Sequence, residues 1–149
     1  MDYTLESISD WIDFPHLAND DFHNKIAQDL ESYKPPTDYK CHMFNGALSH
    51  IEVIRGRFVH QEEIALDEQW QKLPFDYEKR ATTLPPPPKD LPTMKQIARA
   101  LSQPFTYVRV DLYLIDNTAI VGELTFTPTG GTEKFTPNEW DRKLGDLWR

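Results

Sequence analysis

Several features are scarce in this sequence, and each scarcity excludes a class of protein. The 149 residues include one cysteine, Cys41, so no internal disulfide can form, which fits the reducing cytoplasm. No apolar run approaches the roughly 18 residues that a membrane span requires. Residues 1–14 form an acidic segment, whereas a signal peptide has a basic segment followed by an apolar one. We therefore expect a cytoplasmic protein without a membrane span.

Basic residues are also scarce, because 16 Lys and Arg stand against 24 Asp and Glu and give a net charge of −8. A nucleic-acid partner would require a basic surface, so we expect none. Nucleotides remain compatible with an acidic protein, since magnesium neutralises much of a triphosphate. The hydrophobic fraction of 39% is typical of a folded chain. The length predicts one domain over residues 1–149.

Apolar periodicity and turn residues predict an α+β fold, with an antiparallel sheet and helices on one face. The predicted elements, in chain order, are an irregular lead-in 1–17, a helix over about 20–31, strands 38–44 and 47–54 around Asn45-Gly46, a strand 58–64, a helix 93–102, strands 105–115 and 119–126, and a final helix. That last helix is expected to open at Thr136-Pro137-Asn138-Glu139, where threonine would be the N-cap and glutamate the N3 residue. Its predicted buried side carries Trp140, Leu144 and Leu147.

Four consecutive prolines, Pro85–Pro88, force an extended backbone without amide donors. Such a run is more often a stiff connector than a ligand for a proline-reading module. We interpret residues 84–92 as a proline-rich connector, and the ligand reading stays open.

The strands 105–115 and 119–126 carry the most informative side chains. Burying one apolar row from each strand on a shared face requires a three-residue loop centred on Asn117. That register places Asp111 opposite Glu123, and Arg109 opposite Thr125. Two opposed carboxylates repel each other unless a cation lies between them, and their oxygens suit magnesium. The alternative interpretation is a solvated strand face, with Arg109 as a neighbouring charge.

The residues of this hairpin resemble the C-terminal signature of ATP-grasp enzymes, and most closely that of the TupA-like ATP-grasp family. The resemblance covers about residues 26–148, and its motifs are Asp38-Tyr39-Lys40, Phe44-Asn45-Gly46, the region of Arg57, Arg109-Val110-Asp111-Leu112, Gly122-Glu123-Leu124-Thr125-Phe126, Lys134-Phe135-Thr136-Pro137 and Trp140 to Asp146. It implies a fold like the C-terminal lobe of an ATP-grasp enzyme, in a family linked to cell-surface polymer biosynthesis.

The resemblance also implies roles for single residues. Asp111 and Glu123 would be magnesium ligands, and Arg109 would be a catalytic residue that contacts the phosphates of ATP or an acyl phosphate. Lys40 would contact the nucleotide, although a surface lysine is an equal alternative. Thr125 stands where many ATP-grasp ligases have asparagine. Gly130 and Gly131 would let the backbone approach the substrate, or would simply form a flexible loop.

One departure from the family pattern concerns the second half of the ATP clamp. ATP-grasp enzymes close ATP between two lobes, but the six glycines here all lie at position 46 or later, so the glycine-rich phosphate loop of the N-terminal lobe has no counterpart. The hinge glutamate is uncertain between Gln28-Asp29 and Glu31. A partner chain that supplies the N-terminal lobe is one explanation.

Three functions follow as hypotheses. The first is the Mg-ATP-binding lobe of a carboxylate–amine ligase in the biosynthesis of a surface polysaccharide or peptide polymer, with ATP and magnesium as cofactors and unknown carboxylate and amine substrates. The second is a non-catalytic remnant or interaction module. The third is a sugar-transfer protein, which ranks last because no Asp-x-Asp motif is present.

Overall fold

The computed structural model describes residues 35–57 and 60–148. The predicted lead-in 1–17 and the predicted helix 20–31 lie outside the described residues. The described elements are the strands β1 (Asp38–Phe44), β2 (Ala47–Arg55), β3 (Glu62–Leu66), β4 (Tyr107–Ile115) and β5 (Thr118–Thr125), the helices α1 (Leu91–Ser102) and α2 (Glu139–Gly145), and a short 3-10 segment, Pro128–Gly131. The five strands form one antiparallel sheet in the order β3-β2-β1-β4-β5. The predicted α+β class is confirmed.

The β1–β2 hairpin forms at the predicted Asn-Gly turn. Asn45 and Gly46 have φ values of 50° and 77°, the left-handed pair of a two-residue turn whose twist matches the flanking strands. β1 pairs with β2 on one side and β4 on the other. The strand that begins with Asp38 is therefore the centre of the sheet.

The third strand lies later than predicted, at Glu62–Leu66 instead of 58–64. Its pairing places Ile64 opposite Val53 and Leu66 opposite Ile51, and all four side chains are almost fully buried. Burial of this apolar pair determines the register. The prediction began the strand at the apolar Phe58, whereas the described pairing with β2 begins at Glu62.

The helix α1 covers the apolar face of the sheet. It begins two residues before the predicted Thr93, with Pro92 in its first turn, where proline is tolerated. Met94 and Ala98 are buried against the core. The sheet residues of that core are Cys41, Met43, Ile51, Val53, Ile64, Leu66, Val108, Val110 and Leu112. Each large side chain buried there stabilises the fold by roughly 1.5–3 kcal/mol.

The β4–β5 hairpin has a shorter loop than predicted. Its turn consists of Asp116 and Asn117 alone, with φ values of 50° and 61°. This two-residue turn shifts the register by one residue, and a bulge at Gly122 shifts it back. Asp111 therefore still lies opposite Glu123. Gly122 suits the bulge because a Cβ there would lie 2.4 Å from the Tyr113 ring.

The predicted apolar row of β5 is not buried as a whole. Ile120 and Phe126 are 43% and 49% exposed, whereas Leu124 packs against the core. The bulge reverses the facing of residues before Gly122, so Ile120 leaves the core side. Phe126 follows the strand and contacts the Phe105 ring at 4.9 Å between centroids.

The helix α2 begins at Glu139, with Asn138 as its N-cap and no side-chain capping hydrogen bond. The predicted capping box is therefore wrong. Thr136 instead exchanges two backbone hydrogen bonds of 2.9 Å with Asp76, which hold it outside the helix. Leu144 is buried as predicted, but Leu147 is 45% exposed.

A second apolar cluster fixes α2 and the segment that follows β3. Its buried members are Ala65, Phe75, Tyr77 and Leu144. Because Ala65 lies between Ile64 and Leu66 in β3, its side chain lies on the sheet face opposite α1. The proline run packs against the first core instead, since Trp70, a buried member of that core, donates a 2.8 Å hydrogen bond from Nε1 to the Pro85 carbonyl.

Gly56 ends β2 in a conformation that other residues rarely adopt. Its φ is +64°, and a Cβ there would lie 2.3 Å from the His60 carbonyl oxygen. We expect Gly56→Ala to lower the free energy of unfolding by about 1–3 kcal/mol. Gly145→Ala is the control, because Gly145 is helical and a Cβ there meets nothing within 4 Å. Urea unfolding should show no loss for that control; equal losses in both variants would contradict the argument.

None of the helices in the described part of the chain is long and apolar enough to cross a membrane.

Candidate functional site

The sheet has one apolar face and one charged face. Side chains alternate between the two faces along a strand. In β1 and β4, every second residue belongs to the core under α1, and the residues in between point to the opposite face. The charged face carries Asp38, Lys40, His42, His50, Glu52, Arg109, Asp111, Glu123 and Thr125. All five site residues predicted from the sequence lie on this face.

Lys40 and Asp111 form a buried ion pair at the centre of the sheet. They are directly opposite in the β1–β4 register, and Lys40 Nζ lies 2.6 Å from Asp111 Oδ2. Their side chains are 6% and 5% exposed. Removing Asp111 would take away the carboxylate that Lys40 contacts in this poorly hydrated site.

Arg109 lies two residues before Asp111 on β4 and binds the same carboxylate. Its Nε donates to Asp111 Oδ1 at 2.7 Å, and its Nη2 donates to Asp111 Oδ2 at 2.8 Å. Burial lowers the pKa of Arg109, but the hydrogen bond and charge of Asp111 raise it more, so its pKa is raised overall. Arg109 is therefore a permanent cation held by a two-point fork.

Thr125 and Glu123 extend these contacts to the exposed edge of the sheet. Arg109 Nη2 lies 3.2 Å from Thr125 Oγ1, which donates to Glu123 Oε1 at 3.0 Å. Glu123 is exposed, unlike Asp111. We call Lys40, Asp111, Arg109, Thr125 and Glu123 the charged row. The structure thus joins the predicted site residues by continuous hydrogen bonds.

The charged row corrects one step of the sequence reasoning. Asp111 and Glu123 are opposite each other, but the cations beside Asp111 are Lys40 and Arg109. These two cations offset the charge of Asp111 and so reduce its repulsion of Glu123. The repulsion argument alone does not require magnesium.

The donor set can nevertheless hold magnesium together with a nucleotide. Among residues 35–57 and 60–148, no group of three or more His, Cys, Asp or Glu side chains is arranged around a metal position. Magnesium typically takes one or two carboxylates and completes its shell with phosphate oxygens and water. A carboxylate oxygen has two lone pairs, so Asp111 can accept a hydrogen bond and also bind a cation. The residues present fit a Mg-nucleotide better than a bare ion.

A buried network beside the charged row was missed in the sequence. His42 Nδ1 lies 3.0 Å from the Tyr107 hydroxyl, and His42 Nε2 lies 3.5 Å from Glu52 Oε2. The His42 ring stacks on His50 at 4.1 Å, and His50 Nε2 lies 2.9 Å from the Tyr77 hydroxyl. Lys40-Cys41-His42 and His50-Ile51-Glu52 alternate polar and apolar residues, and that pattern was the available signal.

The two histidines of this network are neutral near pH 7. Burial, followed by the positive charge of Arg109, lowers the pKa of His42 to about 3. Burial and the neighbouring His42 lower the pKa of His50 as well. Burial raises the pKa of Glu52 to about 7, although Lys40 and Arg109 counteract it. Two uncharged rings, and a carboxyl group that ionises near pH 7, thus lie next to the permanent charges of the charged row.

Two further regions named from the sequence lie at the ends of the charged face. Arg57 Nη2 lies 3.1 Å from Asp38 Oδ2, and Asp38 is 2% exposed. Gly130 and Gly131 follow β5 in the 3-10 segment with φ values of 64° and 78°. Cys41 faces the core, where burial raises its pKa to about 12.

The described residues thus define an α+β protein whose antiparallel sheet carries a buried, hydrogen-bonded charged row opening at one edge. The family model described as TupA-like ATPgrasp matches residues 6–149, so the chain belongs to that ATP-grasp family. Comparisons with curated proteins and with solved structures found no match.

Proposed function

We propose that the charged row binds Mg-ATP for a ligation between a carboxylate and an amine. The observation that best supports this is the arrangement of Arg109, whose two contacts with Asp111 fix a largely buried guanidinium that reaches Thr125 and, through it, the exposed Glu123. A fixed guanidinium next to carboxylate oxygens is suited to phosphate groups that carry a metal. Membership of an ATP-grasp family supports the nucleotide.

Asp111 and Glu123 would hold the magnesium in this proposal. The ion would neutralise phosphate charge and orient the triphosphate. Glu123 is the accessible ligand at the edge of β5, and Asp111 is the buried one. Lys40 and Arg109 keep Asp111 oriented before the nucleotide arrives.

The proposed reaction has two steps. A substrate carboxylate oxygen attacks the γ-phosphorus of ATP, the bond to the β-phosphate oxygen breaks, and ADP leaves. An amine then attacks the carbonyl carbon of the acyl phosphate, and phosphate leaves as the amide forms and the amine loses a proton. Arg109 would act as the catalytic residue by stabilising charge on the transferred phosphoryl group.

The rest of the ATP site is proposed to lie outside the described residues. ATP-grasp enzymes enclose the nucleotide between two lobes, and the charged face corresponds to one wall of such a site. The other wall would come from other parts of the polypeptide or from a partner chain. We further propose a cytoplasmic reaction that supplies a cell-surface polymer, as the family resemblance implies.

Replacing Arg109 tests the phosphate contact. Arg109→Lys keeps the positive charge but loses the fork, so we expect its affinity for Mg-ATP to fall about tenfold, or 1.4 kcal/mol. The affinity for Mg-ADP should change much less, because the lost contact is to the γ-phosphate. Calorimetric titration measures both.

The matched control is Arg55→Lys, since Arg55 pairs with Glu62 on β2 and β3, outside the charged row. Its nucleotide affinities should equal those of the wild type. An Arg109→Lys variant that binds Mg-ATP as tightly as the control would contradict the proposed contact.

A second function, a non-catalytic interaction module, is favoured by one observation. Both oxygens of Asp111 already accept hydrogen bonds from the protein's own cations, as in a purely structural ion pair. This alternative predicts that the purified chain never forms ADP from ATP. Formation of ADP that Glu123→Gln abolishes would exclude it.

A further inference from the structure

Lys40 lies between two acidic residues on neighbouring strands. On β4 it is opposite Asp111, and on β2 it is opposite Glu52. Directly opposed residues in such pairs have Cβ atoms about 5 Å apart, so a lysine in the middle strand can reach either side. In the structure its ammonium contacts Asp111 at 2.6 Å. Glu52 is 6% exposed, and its Oε2 lies 3.5 Å from His42 Nε2.

Asp111 is the more crowded of the two acids. Its Oδ2 accepts from Lys40 and from Arg109 Nη2, and its Oδ1 accepts from Arg109 Nε. A divalent cation on Asp111 would lie beside the Lys40 ammonium, and like charges at that separation repel strongly in a buried site. Arg109 is held by two points and by Thr125. Within residues 35–57 and 60–148, the Lys40 ammonium has one polar partner, Asp111. Its stem is flexible, so it is the cation that can leave.

We propose that Lys40 is a movable counter-ion that transfers from Asp111 to Glu52 when a divalent cation binds Asp111. This inference rests on the proposed Mg-ATP site. Lys40 and Glu52 are then positioning residues: Lys40 keeps Asp111 oriented in the free protein, and Glu52 receives the displaced charge. Without Glu52, the displaced ammonium would lose its nearest acceptor across β1 and β2.

The transfer of Lys40 releases the proton of the Glu52 carboxyl group. In the free protein the Glu52 carboxyl is largely protonated below its pKa of about 7. When the ammonium arrives, the O–H bond of Glu52 breaks, the carboxylate pairs with Lys40, and the proton leaves to solvent. The charged and titratable groups around Glu52 are Lys40, His42 and Asp38 of β1, Glu63 of β3, Arg109, Asp111 and Tyr107 of β4, and Tyr77. The His42 ring stays neutral in this range, because its pKa is about 3.

Calorimetry of Mg-ATP binding to the full chain at pH 6.5 tests the transfer. Titrations in buffers with different ionisation enthalpies give the number of protons released for each nucleotide bound. We expect the wild type to release roughly 0.5–0.75 proton more than Glu52→Gln, because about three quarters of the Glu52 carboxyls are protonated at pH 6.5. The variant should also bind more weakly. Equal proton release in both proteins, with binding in both, would overturn the transfer and leave the proposed function intact.

A second measurement needs no nucleotide. The pKa of Glu52 is followed by carbon NMR of its side-chain carboxyl group in wild type, Lys40→Met, Asp111→Asn and the double variant. If Lys40 turns to Glu52 once Asp111 loses its charge, Lys40→Met will raise the Glu52 pKa more in the Asp111→Asn background than in the wild type. Equal effects in both backgrounds would overturn the transfer, whether or not Mg-ATP binds. Absence of Mg-ATP binding by the wild type would contradict the proposed function instead.

Discussion

Asp111→Asn is expected to lower the free energy of unfolding by about 3–5 kcal/mol, which is the usual cost of breaking a buried ion pair by removing one partner. The change is nearly isosteric, so packing is preserved. It removes the negative charge that accepts from Lys40 and from both donors of Arg109. Two cations then lose the carboxylate that they share in the wild type. Urea unfolding at pH 7 measures the loss.

Asp116→Asn is the matched control for this prediction. It makes the same chemical change in the exposed two-residue turn of the β4–β5 hairpin, where φ is +50°. Asparagine tolerates that conformation, so we expect a change within about 0.5 kcal/mol. Similar losses in the two variants would mean that the ion pair contributes little to stability.

Glu52→Gln is expected to produce the second largest effect, which depends on pH. The Glu52 pKa is raised by burial from a usual value of 4.5 to about 7 in the folded protein. The folded state therefore holds a proton that the unfolded state loses between about pH 4.5 and 7. The contribution of this proton to the free energy of unfolding is fully present below pH 4.5 and is lost as pH rises through 7.

Glutamine cannot ionise, so the free energy of unfolding of the variant lacks the decline that Glu52 causes as pH rises. Relative to the wild type, Glu52→Gln should gain about 2–3 kcal/mol in unfolding free energy between pH 4.5 and pH 8. His42 contributes in the opposite direction, because its folded pKa of about 3 lies below its usual 6.5. Its contribution is present above pH 6.5 and is lost as pH falls through 3. The difference between the two proteins isolates Glu52.

Urea unfolding at several pH values gives both profiles. Glu139→Gln is the control, since it makes the same change in the exposed first turn of α2 and should keep the wild-type profile. Parallel profiles for wild type and Glu52→Gln would show that Glu52 ionises normally in the folded protein.

The sequence predicted the pairing across the β4–β5 hairpin but not the route by which the backbone reaches it. Burial of Val108, Val110 and Leu112 determines the facing of β4. The same pairing is compatible with a three-residue loop, or with a two-residue turn and a bulge at Gly122. Apolar periodicity does not distinguish these routes. The turn geometry was therefore decided by local backbone preferences that the burial argument did not include.

The charged row was predicted residue by residue, whereas its internal contacts were not. Lys40 reaches Asp111 only because β1 lies between β2 and β4. That strand order is a property of the tertiary fold, and local sequence patterns do not determine it. For the same reason, alternation could place His42 and Glu52 on the polar faces of their strands but could not predict their contacts with each other and with Tyr107, because the three residues come from three different strands.

The most direct test of the account is calorimetric titration of Mg-ATP into wild type, Glu123→Gln and Glu139→Gln. Glu123 is an exposed member of the charged row, so its replacement should not alter the thermal midpoint of unfolding. The account predicts binding to the wild type and to Glu139→Gln, and affinity at least about tenfold lower for Glu123→Gln. No binding by the wild type, or equal affinity in all three proteins, would contradict it.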